Sequence, residues 1–229
     1  MALELVIFDL AGTTVRDNRD VHRALLRALN DDGVEVSIEQ VNEVMGIPKP
    51  IAIEQLLLQN YKGKRNINEG WIQQIHQRFR DYMIDFYRFD PNVSEKEGVS
   101  NLFLQLRERG ILVGVDTGFD RAITQPLLDR LGWLRNDLID VSITSDEVPR
   151  GRPFPDMIYK SMALTGVNNP AFVAKVGDTV SDLQEGSSAG CQWVIGVTDG
   201  AFTREELRKA PHTHLVEDVR EVGRLFEVV

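Results

Sequence analysis

Four short apolar runs, each ending in a polar turn, constrain what this chain can fold into more than any other feature. Residues 4–8 read Glu-Leu-Val-Ile-Phe and lead into Asp9 and a Gly12-Thr13-Thr14 turn. Ile111 to Val115 runs into Asp116-Thr117-Gly118, Ala171 to Val176 into Gly177-Asp178-Thr179, and Gln192 to Val197 into Thr198-Asp199-Gly200. Runs this short and this apolar predict parallel strands buried on both faces, each delivering polar residues at its carboxyl end. Helical patterns lie between them at 100–109, 120–131, 155–165 and 181–189. The alternation predicts a doubly wound α/β parallel sheet, with the functional site off the carboxyl ends of its strands.

Residues 17 to about 95 break the alternation, since no strand pattern occurs there. Val21, Leu25, Ala28 and Leu29 keep helical spacing, as do Trp71, Ile75, Phe79, Tyr82, Met83 and Phe86. An all-helical insert is predicted between the first strand and the rest of the core, its aromatic stripe serving as packing. Arg16-Asp17-Asn18 and the stretch from Phe89 to Ser94, with Pro91, are short polar connections suited to hinges.

Composition narrows the partners. The chain has 229 residues, 42% of them hydrophobic, enough for a sizeable core, and a formal net charge of -9. That charge argues against nucleic acid and anionic membrane. A small phosphorylated or phosphonate substrate remains compatible, if a cation and a few local basic groups recruit it. Cys191 is the only cysteine, which points to a reducing compartment. The start of the sequence lacks a basic, apolar signal pattern, and no apolar run approaches the roughly 20 residues of a membrane span. A soluble cytoplasmic protein is expected.

The strand-end turns supply Asp9, Thr117, Arg152 in a Gly151-Arg152-Pro153 loop, and then Asp178 and Asp182. Carboxylates converging at one sheet edge repel one another unless a cation sits among them. Mg²⁺ suits an all-oxygen site of that kind and would let an anionic carboxylate attack an anionic phosphoryl group. Asp9 is then a competent nucleophile, while Thr117, the backbone of Gly118 and Arg152 are candidates for holding phosphoryl oxygens.

These residues resemble the haloacid dehalogenase (HAD) superfamily along nearly the whole chain: Asp9-Leu10-Ala11-Gly12-Thr13-Thr14, Thr117, Gly151-Arg152-Pro153 and Gly177-Asp178-Thr179-Val180-Ser181-Asp182. The resemblance implies a Rossmann-like HAD core of residues 1–16 and 97–229 and a helical cap of residues 17–96. It implies Mg²⁺ held by Asp9, the backbone carbonyl of Ala11, Asp178 and Asp182. A homodimer through the cap is an arrangement it also admits.

Ala11 narrows the reading. Most phosphatases and mutases of the superfamily have a second aspartate here, as the acid that protonates the leaving oxygen, and alanine transfers no proton. The Asp-x-Ala-Gly-Thr-Thr pattern is similar to the phosphonatase branch, phosphonoacetaldehyde hydrolase and its relatives. So are Met45-Gly46-Ile47-Pro48-Lys49 and Asp146 to Pro155. That branch uses a cap lysine as a Schiff base, so its leaving group is an enamine. The resemblance thus makes Asp9 and Lys49 the catalytic pair, with Met45 and Gly46 beside the substrate. Local sequence agrees, since Pro50 is well placed to begin a helix with Lys49 extended at its cap, where the dipole favours a neutral amine.

Two alternatives stay open. One is a phosphatase on small phosphomonoesters in which Lys49 is an electrostatic clamp, and the other is a silent HAD domain that binds a metabolite. Ala52 stands where phosphonatases tend to have histidine, Phe119 where they have tyrosine, and the chain is shorter. The expected substrate is therefore phosphonoacetaldehyde or a related small phosphonate. Lys175 is a second basic candidate at a strand end, and His212-Thr213-His214 reads as a surface loop.

Overall fold

A computed structural model describes residues 3–227. The sheet has six parallel strands: β1 (Leu5–Asp9), β2 (Leu112–Thr117), β3 (Val141–Thr144), β4 (Val173–Gly177), β5 (Trp193–Val197) and β6 (His214–Val216). Their order is β3-β2-β1-β4-β5-β6, so the chain winds one way from β1 and then back the other way from β4. The crevice at that reversal, between β1 and β4, is where open α/β sheets place their ligands. Every residue of β1 and of β4 is buried, as their unbroken apolar runs require.

The strand bounds differ from the sequence expectation in instructive ways. β2 extends to Thr117, because Asp116 and Thr117 pair with Ile143 and Thr144. β4 begins only at Val173, since Pro170–Phe172 forms a 3-10 turn that Pro170 favours. The edge strands β3 and β6 are short; neither stands out as an apolar run.

α5 (Val99–Glu108), α6 (Arg121–Leu131), α7 (Asp156–Thr165) and α8 (Val180–Ala189) cover the sheet, with short α9 (Arg204–Leu207) and α10 (Glu221–Leu225) near the end. Between β1 and α5 lie only helices: α1 (Asp20–Asn30), α2 (Ile38–Glu43), α3 (Lys49–Asn60) and α4 (Glu69–Phe89). Asn68 caps α4 by accepting from the Trp71 N–H at 3.0 Å. Trp71, Ile75, Phe79 and Met83 then recur every fourth residue and bury one stripe against α1, α3 and α6. Each such side chain stabilises by about 1.5–3 kcal/mol. Tyr82, outside that stripe, instead donates to Asp31 from the surface.

The two connections to this helical insert lie side by side. Arg16 N–H donates to Ser94 O at 3.1 Å and Lys96 N–H to Thr14 O at 2.8 Å, so Val15 and Glu95 pair antiparallel. Further contact with the core comes where Arg80 of α4 sits 3.0 Å from Asp120, the N-cap of α6. No helix among the described residues is long and apolar enough to cross a membrane.

Candidate active site

The strand ends and the insert enclose one cavity. Asp9, Ala11, Thr117, Gly118 and Arg152 line it from the core side, and Met45, Gly46 and Lys49 from the insert. Its enclosed space is about 30 Å³, room for a water molecule or two. A phosphonate is larger than this space, so the lining has to shift for a substrate to fit.

Asp9 ends β1, where parallel register sets it beside Asp116 of β2. Asp178 and Asp182 lie beneath it, fully buried, and the three carboxylates Asp9, Asp178 and Asp182 present oxygens within 4.8 Å of one another. Burial, with Asp182 nearby, pushes Asp9 up to about 6 against the pull of Arg152 and Lys175. Burial, then Asp9 and Asp182, push Asp178 up to about 8.

Arg152 lines the cavity, and its guanidinium is also held by carboxylates of the core. Its Nη1 donates to Asp9 at 2.6 Å, its Nε to Glu185 at 3.1 Å and its Nη2 to Asp116. The guanidinium is thus taken up by carboxylates and orients the Asp9 side chain. Lys175 lies in the same buried network, paired with Asp116 and with Asp182 and Glu185, each of the latter at 3.1 Å. Asp116 and Glu185 were not singled out by sequence reasoning. The signals exist, since Asp116 shares a register position with Asp9, and Glu185 lies three residues past Asp182 on one face of α8.

A second buried triad, Asp116, Asp182 and Glu185, has the same compactness but already holds two cations, Arg152 and Lys175. The first triad is where cation charge is short. Among the described residues Asp178 forms no ion pair and only accepts from Thr13 Oγ1 at 2.9 Å and the Ala201 N–H at 2.6 Å. Asp182 Oδ1, by contrast, lies 3.0 Å from Arg152 and 3.1 Å from Lys175. An all-oxygen donor set that includes a buried carboxylate without an ion pair, Asp178, fits a hard divalent cation.

Lys49 begins α3 one residue earlier than expected. Pro48 is the N-cap, Lys49 the first helical residue and Pro50 the second, where a missing N–H is still harmless. Its side chain is 3% exposed, and its Nζ lies 5.5 Å from the Phe119 ring and 3.5 Å from Ile47 O. Desolvation is the chief cause that lowers this amine to about 8, with Arg152 adding to it and Asp9 opposing. Burial thus acts in the same direction as the helix dipole invoked from the sequence.

The insert loop meets the core backbone to backbone. A Cβ on Gly118 would lie 2.8 Å from Gly46 O and 3.0 Å from Ile47 O, and Gly46 itself has φ +83. Gly118→Ala should therefore disfavour the closed arrangement by about 1–3 kcal/mol, the usual cost of overpacking. Roughly a 10- to 100-fold loss of kcat/KM is expected, and a wild-type value would show that this contact is absent during turnover.

A family profile described as haloacid dehalogenase-like hydrolase matches residues 6–196. The chain belongs to this family. Within these hydrolases, a phosphonoacetaldehyde hydrolase of Bacillus cereus (strain B4264) is 31% identical over 241 residues, covering 99% of this chain and 89% of the relative. Another from Bacillus cereus is 32% identical over 238 residues, at the same coverage of 99% and 89%. This HAD hydrolase also shares its fold with a phosphonoacetaldehyde hydrolase-like protein of Oleispira antarctica, at TM-score 0.87 and 24% identity, covering 100% and 93% of the two chains. The HAD hydrolase is thus of the phosphonatase-like branch.

Proposed function

We propose that the enzyme hydrolyses the P–C bond of phosphonoacetaldehyde or a related small phosphonate. The observation that carries this is Lys49: a buried lysine with no ion-pair partner among the described residues, lining the same cavity as Asp9 and Ala11. A clamp for an anion needs a charged ammonium. A nucleophilic amine needs the neutral form, which burial makes more accessible by lowering this amine to about 8.

Asp9, Asp178, Asp182 and the backbone carbonyl of Ala11 would hold Mg²⁺, which when bound offsets the repulsion between Asp9 and an incoming phosphoryl group. Lys49 condenses with the aldehyde to give an iminium ion, the electron sink that a departing carbanion requires. Asp9 attacks phosphorus, and the P–C electron pair moves into the enamine. A proton from solvent on the enamine carbon restores the iminium, and water then hydrolyses it and the aspartyl phosphate. Arg152 keeps Asp9 aimed through the 2.6 Å contact. Thr117 accepts from the Phe119 N–H at 3.2 Å, shaping the loop that faces the phosphonate. Closure of residues 17–96, as a cap over the core of residues 1–16 and 97–229, brings Lys49 to the aldehyde end while Asp9 faces the phosphoryl end, and excludes water.

The deciding experiment is phosphate release from phosphonoacetaldehyde compared with a panel of phosphate esters. Preference for the aldehyde supports the reading; efficient ester hydrolysis with an inert aldehyde replaces it with the phosphatase reading. Ala11 adds a sharper check because its side chain borders the cavity. Ala11→Asp should raise ester hydrolysis, toward the roughly 10²–10⁴-fold that general acid catalysis contributes, and leave P–C cleavage no faster. An unchanged ester rate would mean that the missing acid does not limit this enzyme.

A further inference from the structure

His22 lies on α1 and borders the cavity that holds Lys49, although it is no part of the nucleophile or metal set. It is 3% exposed. Nε2 is 2.8 Å from Asn42 Oδ1 of α2, a carbonyl oxygen that can only accept. The ring proton is therefore on Nε2, and Nδ1 carries the lone pair. Nδ1 is itself buried and has no hydrogen-bond partner among the described residues. An unpartnered buried ring nitrogen is unfavourable, a penalty relieved if a ligand or reacting group supplies the partner.

We propose that His22 is the proton-transfer group for imine chemistry at Lys49, an inference that rests on the Schiff-base reading above. Condensation of a lysine ammonium with an aldehyde forms one C=N bond, breaks the C=O bond and releases water. Two protons must pass from nitrogen to oxygen along the way. Nδ1 takes the first as the amine adds to the carbonyl carbon, and passes it to the oxygen to give the carbinolamine. It takes the second from nitrogen and delivers it to the hydroxyl, which leaves as water while the nitrogen lone pair closes the iminium. Imidazole ends each cycle as it began.

Other groups nearby are less free to do this. Asp9 is bound to Arg152, and Asp17 Oδ1 accepts the Asp20 N–H at 2.6 Å and the Val21 N–H at 3.3 Å. The charged groups facing His22 are Asp17 and Arg19 from the start of its own helix and Lys49 from α3, with neutral Asn42 from α2; Glu39 and Glu43 of α2 and Glu206 of α9 share a second pocket with it. Burial lowers its pKa, while Asn42 and Asp17 pull the other way. His22 is thus neutral near pH 7 and loses its base form only as pH falls.

The test is the rate at which borohydride traps phosphonoacetaldehyde on Lys49, followed from pH 5 to 9 alongside phosphate release. His22→Gln keeps a donor for Asn42 and should slow trapping about 10²-fold or more. Added imidazole should restore part of the rate to His22→Gly, which a packing role would not allow. Asn42→Asp leaves the histidine in place and sets a carboxylate on Nε2–H. It should move the acid limb of the trapping profile to higher pH. Wild-type trapping rates in His22→Gln, or an unmoved profile in Asn42→Asp, would overturn the role of His22 and leave Lys49 as the Schiff base. Absence of any wild-type adduct together with no phosphate from the aldehyde would remove the Lys49 reading and this one with it.

Discussion

Asp9→Asn is expected to abolish phosphate release, by roughly 10⁴-fold or more, the scale on which a lost nucleophile registers. The amide neither attacks phosphorus nor helps to hold a cation. It also leaves Arg152 with an uncharged partner at the 2.6 Å contact. Fold and chemistry can be separated here by the sign of the electrostatic term. Asp9 is held up at about 6, above the ordinary carboxylate value, chiefly by burial. Its ionised form in the metal-free protein therefore costs stability as pH rises through that value. Removing the charge should leave the metal-free variant melting no lower than wild type at pH 7. Chelation should silence the wild-type enzyme, and Mg²⁺ should restore it. Full turnover in chelator, or in Asp9→Asn, would remove Asp9 and the metal from the mechanism.

Lys49→Arg is the second large effect. Guanidinium stays protonated and cannot condense with a carbonyl, yet it serves a clamp at least as well as an ammonium. Cleavage of an aldehyde phosphonate should fall by roughly 10³-fold or more and the borohydride adduct should vanish. Wild-type cleavage should carry the signature of an amine lowered to about 8: rising with pH and half-maximal near that value, because deprotonation makes the nucleophile. Near-normal cleavage by Lys49→Arg, with no adduct in the wild type, would return Lys49 to a clamp and favour ester substrates.

The central sheet was legible because β1, β4 and β5 are continuous apolar runs closed by Gly- or Asp-containing turns. β3 was not, since Val141-Ser142-Ile143-Thr144 is short and alternates as an edge strand does. The residues of the site were legible by type and order, but their pairings were not. Arg152 reads as an anion-binding loop residue, and only the adjacency of β2, β1 and β4 shows that Asp116, Asp9 and Lys175 surround it. Lys175, the second basic candidate read at a strand end, lies within β4 and is fully buried, and its carboxylate partners come from other elements. His22 left a trace: it falls three residues before Leu25, on the apolar stripe of α1, where a polar side chain calls for a reason.

The strand bearing the nucleophile is central in space but early in the chain. Leu5 pairs with Leu112 on one side and Val173 on the other. A ribosome adding about 5–20 residues per second would need roughly 5–20 s to go from β1 to its first neighbour. During that interval β1 offers two open edges and an apolar Leu-Val-Ile-Phe surface, a template for wrong pairings. The helices of the insert pack on one another through nearer contacts and are complete before β2 is made. By pairing Val15 with Glu95, the insert then returns the growing chain to the end of β1. Substitutions that loosen α1–α4 should thus lower the yield of folded protein during synthesis by more than their effect on the melting temperature would indicate.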